Sequence, residues 1–415
     1  MTHPLYGIPA AFHAGAPIGI TSVCSAHPIV IEAALRLAKT TRRPALIEAT
    51  CNQVNQDGGY TGMTPADFRG FVEGIARKVG VANDQIILGG DHLGPNPWKD
   101  LPAEEAMQKS EVMIAGFAEA GFTKLHLDTS MGCAGEPVAL PDTTTADRAA
   151  RLAVVAERHK GAVDPVYIVG TEVPVPGGAL EDLDELAVTT PDAVAQTYSV
   201  HRDAFSAAGL DEAFSRVIGL VVQPGVEFGH TDVIHFEPAK AQELSACLSD
   251  MPGLVFEAHS TDYQTEAGLA ALVQNGFAIL KVGPWLTFAL REALYGLDAV
   301  ADVLEGHPPR GRLMAAMDEI MRADPGNWAK YYEGDEAALW LQRHFSYSDR
   351  IRYYWPASKA EAAVAGMLGR LEGHDIPVPV LSQYVQAVAG VTDPTEILVA
   401  AVQNILCRYE RACHR

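Results

Sequence analysis

Eight short apolar runs recur along the first 283 residues, each followed by a longer stretch with helical spacing. The runs cover 18–24, 45–50, 86–91, 124–129, 166–172, 217–223, 254–259 and 278–283. Between them, amphipathic segments are predicted as helices over 28–38, 64–79, 104–120, 144–159, 191–208, 239–248 and 265–275, and an eighth starts after Pro284. Strands that are apolar almost throughout are covered on both faces, as in parallel sheets. Strands alternating with helices make an α/β architecture, and eight repeats point to a closed (β/α)8 TIM barrel. An open nucleotide-binding sheet would carry GxGxxG near its first turn, or GxxxxGK[ST]; neither occurs, so no nucleotide cofactor is expected.

A single barrel takes about 250 residues, and this chain has 415. The remainder lacks strand alternation and reads as helices over 313–322, 336–345, 358–371 and 394–410. We therefore divide the chain into a barrel, 1–307, and a helical extension packed on it, 308–415. The net charge of −21 opposes nucleic acid and anionic membranes as partners. No apolar run reaches the roughly 18 residues of a membrane span, and the N-terminus lacks the pattern of a signal peptide. The six cysteines are scattered without a CxxC pair, which excludes a zinc ribbon. These features together predict a cytoplasmic protein with reduced thiols.

In such a barrel, chemistry gathers at the C-terminal ends of the strands. Asp91 and His92 end the third, Asp128 the fourth, Glu172 the fifth and Gln223 the sixth, with Glu227 and His230 just beyond. His259, Ser260 and Thr261 end the seventh, and Lys281 sits late in the eighth. Three histidines and a carboxylate from different strands suit a divalent metal. The plainer reading is that each imidazole is structural, and that adjacent Asp91 and His92 point to opposite sides of an extended strand. His159, His201 and His307 fall in helices or loops and take that plainer reading. Loops after strands seven and eight commonly hold phosphate on backbone N–H groups. Here they carry Ser260, Thr261, Gly283 and Thr287. Asp128 and Lys281 are further polar groups facing a substrate. Ser348, Arg350 and Arg352 lie in a basic, aromatic stretch that could clamp a phosphate, or could pair with the chain's many carboxylates.

Five motifs carry a family resemblance: residues 55–63 (NQDGGYTGM), 89–98 (GGDHLGPNPW), 126–131 (HLDTSM), 170–174 (GTEVP) and 346–355 (SYSDRIRYYW). In these the chain resembles the GatZ/KbaZ family of galactitol and tagatose 6-phosphate metabolism. Members carry three labels: tagatose 6-phosphate kinase, non-catalytic subunit of class II tagatose-1,6-bisphosphate aldolase, and D-tagatose 6-phosphate 4-epimerase. The family is also similar to class II aldolases. That similarity implies Asp91 as the proton-transfer carboxylate and His92, His230 and His259 as metal histidines. Glu172 is then a fourth ligand or a second proton-transfer group. It also implies a divalent ion, zinc ahead of manganese, cobalt or magnesium. The implied partners are a phosphorylated ketohexose, further copies of the chain, or a separate aldolase chain.

Overall fold

The computed structural model describes residues 3–170, 186–386 and 391–415. Among them, eight parallel strands close into a barrel: β1 (Ile20–Cys24), β2 (Ala45–Thr50), β3 (Ile86–Leu93), β4 (Lys124–Leu127), β5 (Val166–Val169), β6 (Val217–Val222), β7 (Val255–Ala258) and β8 (Phe277–Val282). Each pairs with its sequence neighbours and β8 closes on β1. Helix starts follow local chemistry. Thr64 and Asp67 form a reciprocal capping box ahead of Pro65–Val79, with Pro65 in the first turn. Gly80 then ends the helix in the left-handed conformation that glycine adopts without strain.

Side chains alternate along each strand, so every second residue faces the barrel axis. At the N-terminal end these are Leu46, Ile87, Val166, Ile168, Ile218, Val255 and Ile279, packed with Leu5 and Ile8 from the chain's start. At the next level the inner faces of β2, β4, β7 and β8 carry Glu48, Lys124, Glu257 and Lys281, all buried. Gly89 makes room at this level, because a Cβ there would lie 2.6 Å from Glu48 Oε1. The barrel interior is thus oil at one end and charge at the other.

The extension holds helices Arg312–Ala323, Glu336–Phe345, Ser358–Leu371, Val378–Tyr384 and Pro394–Cys413. The last of these packs against Pro28–Thr41, Glu266–Gln274, Pro284–Leu304 and β1. Its end is tied down where the Gly19 amide donates to the Cys413 carbonyl, 2.9 Å away. It stands in the ring of helices, between those that follow β1 and β7. The segment expected as one helix over 239–248 is only Gln242–Ala246 followed by a 3-10 turn, Cys247–Asp250. The helices Gly7–His13 and Val378–Tyr384 and the antiparallel pair Glu227–Phe228 and Val233–Ile234 were not anticipated. All are too short to show a period. No helix among the described residues is long and apolar enough to cross a membrane.

Candidate active site

The end of β3 solves a geometric problem posed by the sequence. Asp91 and His92 would diverge in a regular strand, yet both are buried at the barrel mouth, 2% and 5% exposed. Pairing with β4 shifts register between Gly90 and Leu93, and His92 takes φ 49°, in the left-handed region. Such a backbone costs about 1–3 kcal/mol in a non-glycine residue and persists where the surroundings over-determine it. Here His92 Nδ1 lies 2.9 Å from Asp128 Oδ2, while Asp128 Oδ1 accepts from the Ser130 hydroxyl at 2.8 Å. The His92 backbone amide also approaches His126 Nδ1 at 3.3 Å.

Three imidazoles meet at this point. The ring centroids of His92, His126 and His259 are 5.0–5.3 Å apart. His126 Nδ1 is 2.9 Å from Asp91 Oδ1, and His259 Nε2 is 3.0 Å from Glu257 Oε1. Beneath them Lys124 Nζ lies 2.6 Å from both Glu48 Oε1 and Glu257 Oε2. Lys281 Nζ is 2.6 Å from Asp91 Oδ1 and also contacts Glu48. Burial pushes the Asp91 carboxyl up, but His92, Lys281 and His126 outweigh it and hold it well below the usual carboxylate range. Burial likewise raises Glu257, and Lys124 and Lys281 override it downward. The Lys281 ammonium is depressed by burial but carried well above its ordinary value by Asp91 and its neighbours.

Asp91, His126, Glu257 and His259 each offer a ligand atom within 4.8 Å of the others. Two nitrogens and two carboxylate oxygens are a donor set for a divalent transition ion. Two observations of the chain itself fit such an ion. Among the described residues His126 Nε2 is buried without a hydrogen-bond partner, leaving a lone pair when Nδ1 carries its proton toward Asp91. Charge also falls short: four buried carboxylates (Glu48, Asp91, Asp128, Glu257) face two ammonium groups (Lys124, Lys281). Among the described residues that leaves an excess of negative charge, which a divalent cation would offset. Cys24, Glu48 and Asp91 form a second close group. The Lys281 ammonium already sits between its carboxylates.

A cavity of about 510 Å³ opens beside the cluster, lined by Cys24, Gln53, Tyr60, Gly283, Thr287 and Arg352 among others. Cys24 links the two, its Sγ 3.6 Å from Asp91 Oδ2. Arg352, one of the lining residues, donates to the Asp349 carbonyl at 3.1 Å and the Tyr353 hydroxyl at 2.9 Å.

Of the residues anticipated from sequence, the structure gathers Asp91, His92, Asp128, His259 and Lys281. Glu172 lies outside the described residues. Of the anticipated metal histidines only His259 is in the four-ligand group; His92, with Nδ1 on Asp128, and His230 are not. His230 Nδ1 lies 2.9 Å from Ser346 Oγ and its Nε2 3.1 Å from the Tyr331 carbonyl, both in the extension. Thr261 turns its hydroxyl to the Lys281 carbonyl at 2.6 Å and is fully buried. Ser260, with φ 52°, turns the chain after His259. The Gly283 amide is committed to Asp262, and the Thr287 hydroxyl to Asp349 at 2.6 Å. Ser348 bonds Ser346 at 2.9 Å. Arg350 stacks on Tyr331, 3.3 Å from its ring centre, and donates to the Asn327 carbonyl. Of the two arginines, Arg352 lines the cavity. Sequence reasoning missed His126, Glu257, Glu48 and Lys124. The alternations Lys124-x-His126-x-Asp128 and Glu257-x-His259 were the available signal, since they place each set on one strand face.

Comparison with known proteins adds three findings. The family model described as D-tagatose-1,6-bisphosphate aldolase subunit GatZ/KbaZ-like matches residues 5–414. The chain is 54% identical over 420 residues to the D-tagatose 6-phosphate 4-epimerase of Agrobacterium fabrum strain C58, covering 99% of each. It also superposes, with TM-score 0.89 and 57% identity, on a crystal structure called a probable tagatose 6 phosphate kinase from Sinorhizobium meliloti 1021. That match covers 95% of this chain and 100% of the other.

Proposed function

The chain belongs to the GatZ/KbaZ-like family, and from that premise we propose that it is a metal-dependent sugar-phosphate epimerase interconverting D-tagatose 6-phosphate and D-fructose 6-phosphate. The observation that carries the reading is the buried group Asp91, His126, Glu257 and His259 beside a cavity that Arg352 lines. The C4 hydrogen of a 2-ketose is not adjacent to its carbonyl, so simple deprotonation cannot invert C4. Breaking and re-forming the C3–C4 bond can.

In this scheme the Asp91 carboxylate takes the C4 hydroxyl proton. The C3–C4 bonding pair moves toward the C2 oxygen, leaving a three-carbon enediolate and glyceraldehyde 3-phosphate. The aldehyde turns over within the cavity, the bond forms on its other face, and Asp91 returns the proton. Lys281, 2.6 Å away, keeps Asp91 ionised. Asp128 fixes the His92 ring. His126, Glu257 and His259 would hold a divalent cation, zinc ahead of manganese, cobalt or magnesium, which as a Lewis acid polarises the C2 carbonyl. The motif at 170–174 keeps Glu172 as a further ligand or proton-transfer group, and His230 would join only on release from Ser346 and Tyr331. Arg352 binds the substrate phosphate, and Arg350 and Ser348 support that segment.

We place the enzyme in the cytoplasm as a homo-oligomer. A second reading follows the description of the matched family, an aldolase subunit, in which the chain stabilises a separate catalytic chain. The test is NMR of the purified protein, loaded with zinc or manganese, mixed with D-tagatose 6-phosphate and no ATP. Appearance of D-fructose 6-phosphate, lost in His259→Ala, supports the epimerase. No turnover with either metal refutes it and favours the subunit reading.

A further inference from the structure

The loop after β7 contains a carboxylate that the proposed reaction does not use. Asp262 is 2% exposed. Its Oδ1 accepts from the Gly283 amide at 3.0 Å and the Trp285 amide at 2.8 Å. Those amides belong to the first turn of Pro284–Leu304, a 21-residue helix with no other acidic group in that turn. In (β/α)8 barrels, the loops after strands seven and eight and a helix N-terminus there are the usual seat of a substrate phosphate. This chain has the seat, and its own side chain sits in it. Burial pushes the Asp262 carboxyl up to about 6 against the pull of the two amides, so at neutral pH it is an anion. Gly283 also lines the cavity beside the metal-ligand group, so this filled seat adjoins the substrate space.

We infer that Asp262 is a specificity-determining residue: it occupies the barrel's phosphate seat and restricts the enzyme to ketoses with one phosphate. A ketose 1,6-bisphosphate has an anion at each end. Arg352 accounts for one of them. The other would have to enter a place where a buried carboxylate already takes both N–H donors, losing those bonds and meeting a like charge. The same carbon skeleton with a free 1-hydroxyl meets no such conflict. Asp262 thereby separates epimerisation of a monophosphate from aldol cleavage of a bisphosphate, two reactions that otherwise ask for the same chemistry. This inference rests on the ketose phosphate reading above.

The test compares the calorimetric affinities of D-fructose 6-phosphate and D-fructose 1,6-bisphosphate for the metal-loaded wild type and for Asp262→Ala. The wild type is expected to prefer the monophosphate by about two- to thirtyfold, the range that an anion at a helix N-terminus commands. Removing the carboxylate is expected to erase that preference. A wild type that binds both equally, or a folded Asp262→Ala with an unchanged ratio, overturns the inference. Should alanine cost the helix its cap and the fold, Asp262→Ser keeps a capping hydroxyl while vacating the carboxylate's place, and the same ratio decides. If neither sugar binds the wild type, the epimerase reading is what has failed. Titration with inorganic phosphate then judges Asp262 alone: the variant must take up one phosphate more than the wild type, and equal uptake overturns the inference.

Discussion

Replacing Lys124 with methionine tests whether the charged layer inside the barrel is balanced as described. The ammonium lies 2.6 Å from Glu48 and 2.6 Å from Glu257, and all three side chains are wholly buried. Methionine fills nearly the same volume, so packing changes little. Two carboxylates are left in low dielectric with Lys281 as the remaining ammonium contacting both. Removing one partner of a buried ion pair costs about 3–5 kcal/mol, because the other charge stays behind without compensation. Unfolding entropy is about 2.1 cal/mol/K per residue, so across 415 residues that loss lowers Tm by about 3–6 °C. Adding Glu48→Gln removes one stranded charge and should recover at least half of the loss in a double-mutant cycle. The assay is thermal and denaturant unfolding of metal-loaded protein. A Lys124→Met protein within about 1 °C of the wild type, or a double variant no better than the single, refutes the balance.

Three further outcomes are expected. Dialysis against a chelator should lower both metal content and Tm, and His126→Ala should bind well under one metal per chain; full metal occupancy in that variant contradicts His126 as a ligand. Asp128→Asn should leave the fold intact but cost about 10–100-fold in turnover or metal affinity, since a carboxylate that orients a site histidine typically matters by that much; unchanged kinetics remove Asp128 from the site. Burial lowers the pKa of His344 from 6.5 to about 4. A lowered histidine stabilises the fold fully above pH 6.5 and loses that contribution as pH falls toward 4, here by up to about 3 kcal/mol. Tm should therefore drop between pH 7 and pH 5, and His344→Gln should flatten the decline; an equally steep decline in the variant assigns it to other groups.

The barrel was legible because its strands and helices differ in length and period. Every strand of the barrel falls within two residues of its predicted start. The site was legible only in part. Asp91, His92 and His259 announce themselves at strand ends, where polar residues interrupt apolar runs. Lys124, His126 and Glu257 lie inside the runs and pass for strand interior, although their spacing of two puts them on the inner face. The route by which Asp91 and His92 join one cluster depends on a left-handed residue at a register shift, which no residue type declares. His230 was out of reach for a different reason. Its partners Tyr331 and Ser346 are 101 and 116 residues away in the chain, and nothing local signals that the extension will take both ring nitrogens. The seat of Asp262 was equally hidden, since a Ser-Thr-Asp turn looks the same whether the acid faces water or a helix end.

The position of Pro394–Cys413 in the ring of helices bears on how the molecule is made. Synthesis proceeds from the N-terminus, and early parts of a chain usually begin to fold as they emerge. Here β8 is complete at Val282, but the helix that covers β1 and fills the gap beside Pro28–Thr41 arrives only at the very end. Without it the outer flank of β1 loses the cover this helix gives. A premature stop that removes only the last helix would cost far more than the usual trimming of a terminus. The twenty-residue helix Pro394–Cys413 is thus the closing clasp of the first strand.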